Sequence, residues 1–246
     1  MEQKIKGKCK YCSTEYAIGY MGRHLKSCRM RQSKLSSEKG SKKCGYFLLK
    51  IYAKYDRDYW MFIEISENAT LMNLDDFLRD IWLECCGHLS AFEIDGISYE
   101  VAPYDDGFYE PAENMNHRLK TVLRTGMTFD YDYDFGSTTE LKISVEDYRI
   151  GTQKKEKLTI LSRNNPPVIM CSNCGKKPAA AVHAEYMWDG DGFFCEDCIK
   201  TLDDDEQEFL LDVCNSPRMG VCAYNGSEIY PDQFVPDVET SASKKS

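Results

Sequence analysis

No stretch of this 246-residue chain approaches the roughly 18 consecutive apolar residues that a membrane-crossing helix needs, which sets a transmembrane protein aside. The first residues, Met1-Glu2-Gln3-Lys4-Ile5-Lys6, hold none of the apolar run of a secretion signal. The expectation is therefore a cytoplasmic chain with no membrane partner. Nor is the composition that of a disordered chain, because 42% hydrophobic and 29% charged residues suffice to bury a core. What is present is cysteine. Twelve cysteines, seven of them in two spaced sets that one histidine completes, read as metal ligands before disulfides.

Charge is unevenly spread behind a net value of −9. Residues 1–44 carry 12 Lys+Arg against 3 Asp+Glu, whereas residues 45–150 carry 9 against 21. A basic arm on an acidic body is the reading this asymmetry supports.

The arm contains the first ligand set, Cys9-x2-Cys12-x11-His24-x3-Cys28. A two-residue spacer lets one tight turn present two sulfurs to one ion, and tetrahedral zinc accepts three thiolates and an imidazole. His24 and Cys28, four apart, share one face of a short helix. Tyr16 and Met21 sit where a C2H2-type finger places its small core. The unit at 1–31 resembles such a finger, with a central spacer of 11 rather than 12 and Cys as the last ligand. Around it, Arg23, Lys26, Arg29 and Arg31 form a basic surface suited to nonspecific phosphate contact. Residues 32–44 read as a basic linker.

The second set, Cys171-x2-Cys174-x20-Cys195-x2-Cys198, brackets a hairpin-length segment, with a strand over Ala180 to Trp188. The chain after Cys198 reads as a helix offering Ile199, Leu202, Phe209, Leu210 and Val213 on one face. Second ligands at a helix start point to a treble-clef-like module over 168–224. Two zinc ions are expected. Cys85 and Cys86 read as core residues, Cys44, Cys214 and Cys222 as buried or free thiols, and 235–246 as a disordered tail.

Between the sets, the pattern predicts an α+β domain over 45–150, with a mostly antiparallel sheet and one main helix. Strands are expected at 46–52 and 59–65, then a helix from 71 capped by Thr70 or Asn73. A hairpin turns at Asp95-Gly96, a long loop spans 103–116, and a short helix covers 118–123. Strands 127–135 and 141–148 follow. Alternation over Asp130, Asp132 and Asp134 puts three carboxylates on one face, opposite Tyr131, Tyr133 and Phe135.

Trp60 to Glu67, the helix start at Leu71, His88-Leu89-Ser90-Ala91-Phe92, and Tyr133-Asp134-Phe135-Gly136 follow one another as in the plasmid pRiA open-reading-frame-3-like family. That family is also labelled a TnpR-like passenger of insertion elements. The closing Asn215 to Tyr224 is similar to a tail of some members. The resemblance implies a compact α+β fold and poorly defined biochemistry. It does not bring recombination, because no serine nucleophile with an arginine cluster stands out. The Asp-x-Trp-x-His that members carry after Gly136 is missing too.

The sequence thus reads as a noncatalytic zinc-binding interaction protein, contacting nucleic acid through its basic finger. The alternatives are a protein–protein adaptor, or an enzyme with a site near His88 and Asp130, Asp132 and Asp134. His88 reads as a hydrogen-bonded structural histidine.

Overall fold

The computed structural model describes residues 4–104, 112–187 and 190–237. An eight-stranded sheet occupies the centre, in the order β10-β4-β3-β9-β8-β5-β6-β7. Its strands are β3 (Lys43–Ala53), β4 (Trp60–Ser66), β5 (Ser90–Ile94), β6 (Ile97–Glu100), β7 (Glu113–Asn114), β8 (Thr128–Tyr133), β9 (Thr139–Thr152) and β10 (Leu158–Arg163). Neighbours pair antiparallel except β6 and β7, so the sheet is mixed and mostly antiparallel as the hairpin signals imply. Asp95 and Gly96 both take positive φ in the β5–β6 turn, which fits a two-residue hairpin. Strand β10 carries the domain past residue 150, pairing with β4 at the sheet edge.

The two apolar runs at β3 and β4 are buried on both faces, and this explains why they read as almost continuous hydrophobics. On one face Phe47, Leu49, Ile51, Met61, Ile63 and Ile65 pack under α3 (Leu71–Leu78). Thr70 caps α3, and Asn73 returns the bond to the Thr70 backbone, so both expected capping residues act together. A π-helical turn, Arg79–Leu83, extends the helix and buries Ile81, Trp82 and Leu83. The short helix α4 (Leu119–Val122) closes the same side.

On the opposite face Leu48, Trp60, Phe62 and Leu161 meet the N-terminal unit. That unit is the hairpin β1 (Lys6–Lys8) and β2 (Glu15–Ala17) followed by α1 (Ile18–Ser27) and α2 (Arg29–Ser37). Met21, Leu25, Cys9 and Tyr11 enter the shared cluster. The basic arm is thus docked on the sheet, and most of the 32–44 segment read as a linker belongs to α2 or to the start of β3. Burial of each large side chain in this seam contributes on the order of 1.5–3 kcal/mol, enough to hold a short unit in place. Beneath it Glu64 is buried, accepting hydrogen bonds from Arg31 and Arg149.

The C-terminal part forms a three-stranded sheet of β11 (Ala181–His183), β12 (Phe193–Phe194) and β13 (Leu210–Asp212). The helix expected after Cys198 is not continuous. It is α5 (Glu196–Ile199) and α6 (Asp204–Gln207), and the Asp203–Glu206 capping box starts α6 afresh. The apolar positions at the end belong to β13, where Leu211 pairs with Val182, and to Val213 beside it. Trp188 and residues 105–111 of the predicted loop lie outside the described residues, as do 238–246 of the tail. Within that tail, Asp237 is bound to the finger through its amide and through Lys10.

Candidate metal centres

Two of the three centres are those the spacing marked. In the finger, Cys9 and Cys12 lie in the β1–β2 turn, which closes with Ser13 at positive φ and bonds from Cys9 to Thr14 and from Ser13 to Cys9. His24 comes from α1 and Cys28 from the break between α1 and α2. The four donor atoms lie within 4.8 Å of one another. The Cys12 Sγ to His24 Nε2 distance is 3.3 Å, and Tyr16 stacks on the imidazole at 4.5 Å. Burial lowers the His24 pKa, which keeps the neutral ring that a metal requires. Burial also pushes the Cys9 thiol up to about 12. A thiolate there needs a countercharge, and a dication shared by four donors supplies one.

Cys171, Cys174, Cys195 and Cys198 converge in the same way. Gly175 takes positive φ after the first knuckle, where its amide reaches back to the Cys171 carbonyl. Cys195 is the N-cap of α5 and Cys198 lies one turn on, so the second pair straddles a helix start. Burial opposes ionisation of Cys171, but backbone N–H groups of Cys174 and Cys195 outweigh it and bring that thiol down to about 6. Burial, joined by hydrogen bonds to neighbouring thiols, pushes Cys198 up to about 12.

The third centre escaped the sequence reading. Cys85, Cys86, His88 and Cys222 bring their donor atoms within 4.8 Å of one another. Cys85 is half-buried and Cys86 exposed, so the expectation of two core cysteines is corrected. Cys222 is an exposed thiol at positive φ, drawn in by the Asn215–Tyr224 segment. Three donors within Cys-Cys-Gly-His were a legible signal. The fourth, more than a hundred residues away, was not. Among the remaining cysteines, Cys44 and Cys214 are buried, as read.

The acidic strand behaves differently from the alternation expected. Asp130 pairs with Lys142, and Asp132 sits across from Glu140. Asp134 leaves the strand at positive φ and turns inward to the buried Arg218, 2.6 Å away, while Phe135 is exposed. His88 meets only Asp134 of the three, at 3.5 Å from Nδ1.

On the basic surface, Arg23 and Arg29 are exposed, with Arg23 over the Tyr20 ring. Lys26 is exposed and donates to the Glu146 carbonyl. Arg31 is removed from this surface, because it is buried and spends its guanidinium on Glu64 and the Leu25 carbonyl.

Residues 50–169 match the model of the plasmid pRiA4b ORF-3-like protein family. A solved structure, a protein of unknown function from Methanosarcina mazei Go1, aligns at 23% identity and a TM-score of 0.39. The alignment covers 48% of this chain and 68% of that one. No curated protein matches the chain. Among the described residues, no helix is long and apolar enough to cross a membrane.

Proposed function

We propose that this protein is a noncatalytic, zinc-braced interaction module whose docked finger contacts the phosphate backbone of nucleic acid. Zinc would be held by Cys9, Cys12, His24 and Cys28, and by Cys171, Cys174, Cys195 and Cys198, the latter in a treble-clef-like unit. The observation that carries the structural role is the enclosure of each set. Four protein donors lie mutually within 4.8 Å, and a complete protein shell leaves no position for substrate. In each set the metal ties chain ends that have little apolar core of their own, so it supplies folding energy rather than chemistry.

The finger's outward side supports the phosphate reading. Its inner side is sealed against β3, β4 and β10, while Arg23, Lys26 and Arg29 stay on the solvent side. A cavity of 220 Å³ between α1 and the sheet places Arg57 and Tyr52 beside Arg23. A cationic rim beside an aromatic ring suits a single strand, where bases stack and phosphates pair. The test is fluorescence anisotropy with labelled single-stranded and duplex oligonucleotides at several salt concentrations. Binding should be roughly micromolar or weaker and fall steeply with salt, as electrostatic contact does. Replacing Arg23 and Arg29 by Gln should lower both affinity and salt slope. No binding at low salt by the metal-loaded chain would overturn the reading in favour of a protein–protein adaptor.

A further inference from the structure

We infer that Cys85, Cys86, His88 and Cys222 form a third thiophilic metal site, which fastens the C-terminal segment to the central sheet. The site goes beyond the two that the proposed function uses. Cys86 Sγ lies 3.0 Å from His88 Nε2, 3.6 Å from Cys222 Sγ and 3.8 Å from Cys85 Sγ. A tetrahedral zinc with Zn–S near 2.3 Å and Zn–N near 2.0 Å sets its donors about 3.5–3.8 Å apart, so small adjustments seat the ion. Three thiolates and an imidazole are soft donors, which select zinc-like ions over magnesium or calcium.

The surroundings are those of a ligand set rather than of idle thiols. His88 turns Nε2 to the sulfurs, and its Nδ1 faces Asp134 at 3.5 Å. A carboxylate behind a ligating histidine fixes the ring and strengthens its donor nitrogen. Asp134 is itself anchored by Arg218, fully buried at 2.6 Å. The Arg218 Nη2 also lies 3.7 Å from Cys85 Sγ. Three thiolates around a dication leave a charge of about −1, and this buried guanidinium offsets it. A cavity of 450 Å³ opens beside the site, lined by Cys85, Asp80, Glu228 and the Arg79–Glu84 ion pair.

The site joins two parts of the chain. Cys85, Cys86 and His88 lie between the π turn and β5, while Cys222 belongs to the segment that also reaches Trp82 through Ser216. Because Cys86 and Cys222 are exposed, this ion is the one most open to exchange and to chelators.

The test is elemental analysis of the full-length chain purified without chelator, with cobalt substitution to read thiolate coordination. The wild-type protein should hold three equivalents. Cys86→Ser and Cys222→Ser should each hold two, and both positions are exposed, so neither change disturbs a packed core. Cys44→Ser should keep three. Asp134→Asn should weaken binding of the third ion ten- to a hundredfold in chelator competition, with melting followed alongside. Two equivalents in the wild type, unchanged in Cys86→Ser and Cys222→Ser, would overturn the third site and leave the other two standing. A Cys86–Cys222 disulfide in metal-replete protein would overturn it as well. Cys12→Ser or Cys174→Ser proteins that keep the wild-type content would instead contradict the two sites of the proposed function.

Discussion

Arg31, on the second helix of the finger, and Glu64, in the middle of β4, form an ion pair at 2.7 Å with almost no exposure of either side chain. The pair is the polar centre of the seam between finger and sheet. Arg149 and Lys154 join it, so this buried carboxylate is surrounded by cations. A basic residue of the finger thus serves docking, and only its neighbours remain for an outside ligand.

Replacing Arg31 by Ala should destabilise the chain by about 2 kcal/mol, because a buried charged hydrogen bond is lost while Arg149 keeps Glu64 paired. Urea unfolding with zinc present measures it. Nucleic-acid affinity per folded molecule should barely change, in contrast to Arg23→Gln.

The same carboxylate sets a pH dependence. Burial alone would raise the Glu64 pKa, but the hydrogen bond and charge of Arg149, with Arg31 and Lys154, hold it below the ordinary 4.5. The folded state therefore binds this proton more weakly than the unfolded chain. Its contribution is fully present above the unfolded value and is lost as pH falls through the lower folded one. The stability difference between wild type and Glu64→Gln, from urea curves, should stay constant from neutral pH down to about 5 and shrink below 4. Comparing the two proteins cancels metal release, which both share.

Gly7 is where β1 touches the sheet domain. It bridges to Asn164, and a Cβ there would clash with the Arg163 carbonyl oxygen. Gly7→Ala should cost about 1–3 kcal/mol through the forced shift of β1. Protease cleavage between the finger and β3 should rise, while the ligand set still binds metal. Unchanged melting and cleavage would show that the finger is not docked by this strand.

Cys174→Ser should lose one metal equivalent and open residues 171–198 to proteolysis, because a structural ligand carries folding energy. The sheet core under α3 shares no ligand with this unit and should keep its near-ultraviolet circular dichroism.

What could be read from the sequence was local. The β5–β6 hairpin came from Asp95-Gly96, the α3 start from Thr70 and Asn73, and two metal sets from their Cys-x-x-Cys knuckles. Relations between distant residues were hidden. Nothing near Arg31 marks it as buried, since its partner is 33 residues away. The doubly buried β4 shows no alternation, so its run of apolar residues could not tell that a second layer covers it. Helical spacing at the end was ambiguous, because Leu211 and Val213 fit a strand equally well. Cys222 reaches Cys86 across 136 residues, a distance at which spacing carries no message.

That metal supplies the folding energy of the two end modules is tested most directly by peptide-resolved hydrogen exchange before and after chelation. Peptides covering residues 6–28, 171–187 and 190–198 should lose protection when metal is removed, while those in β3, β4 and β9 keep most of theirs. Unchanged protection of both end modules in metal-free protein would contradict it.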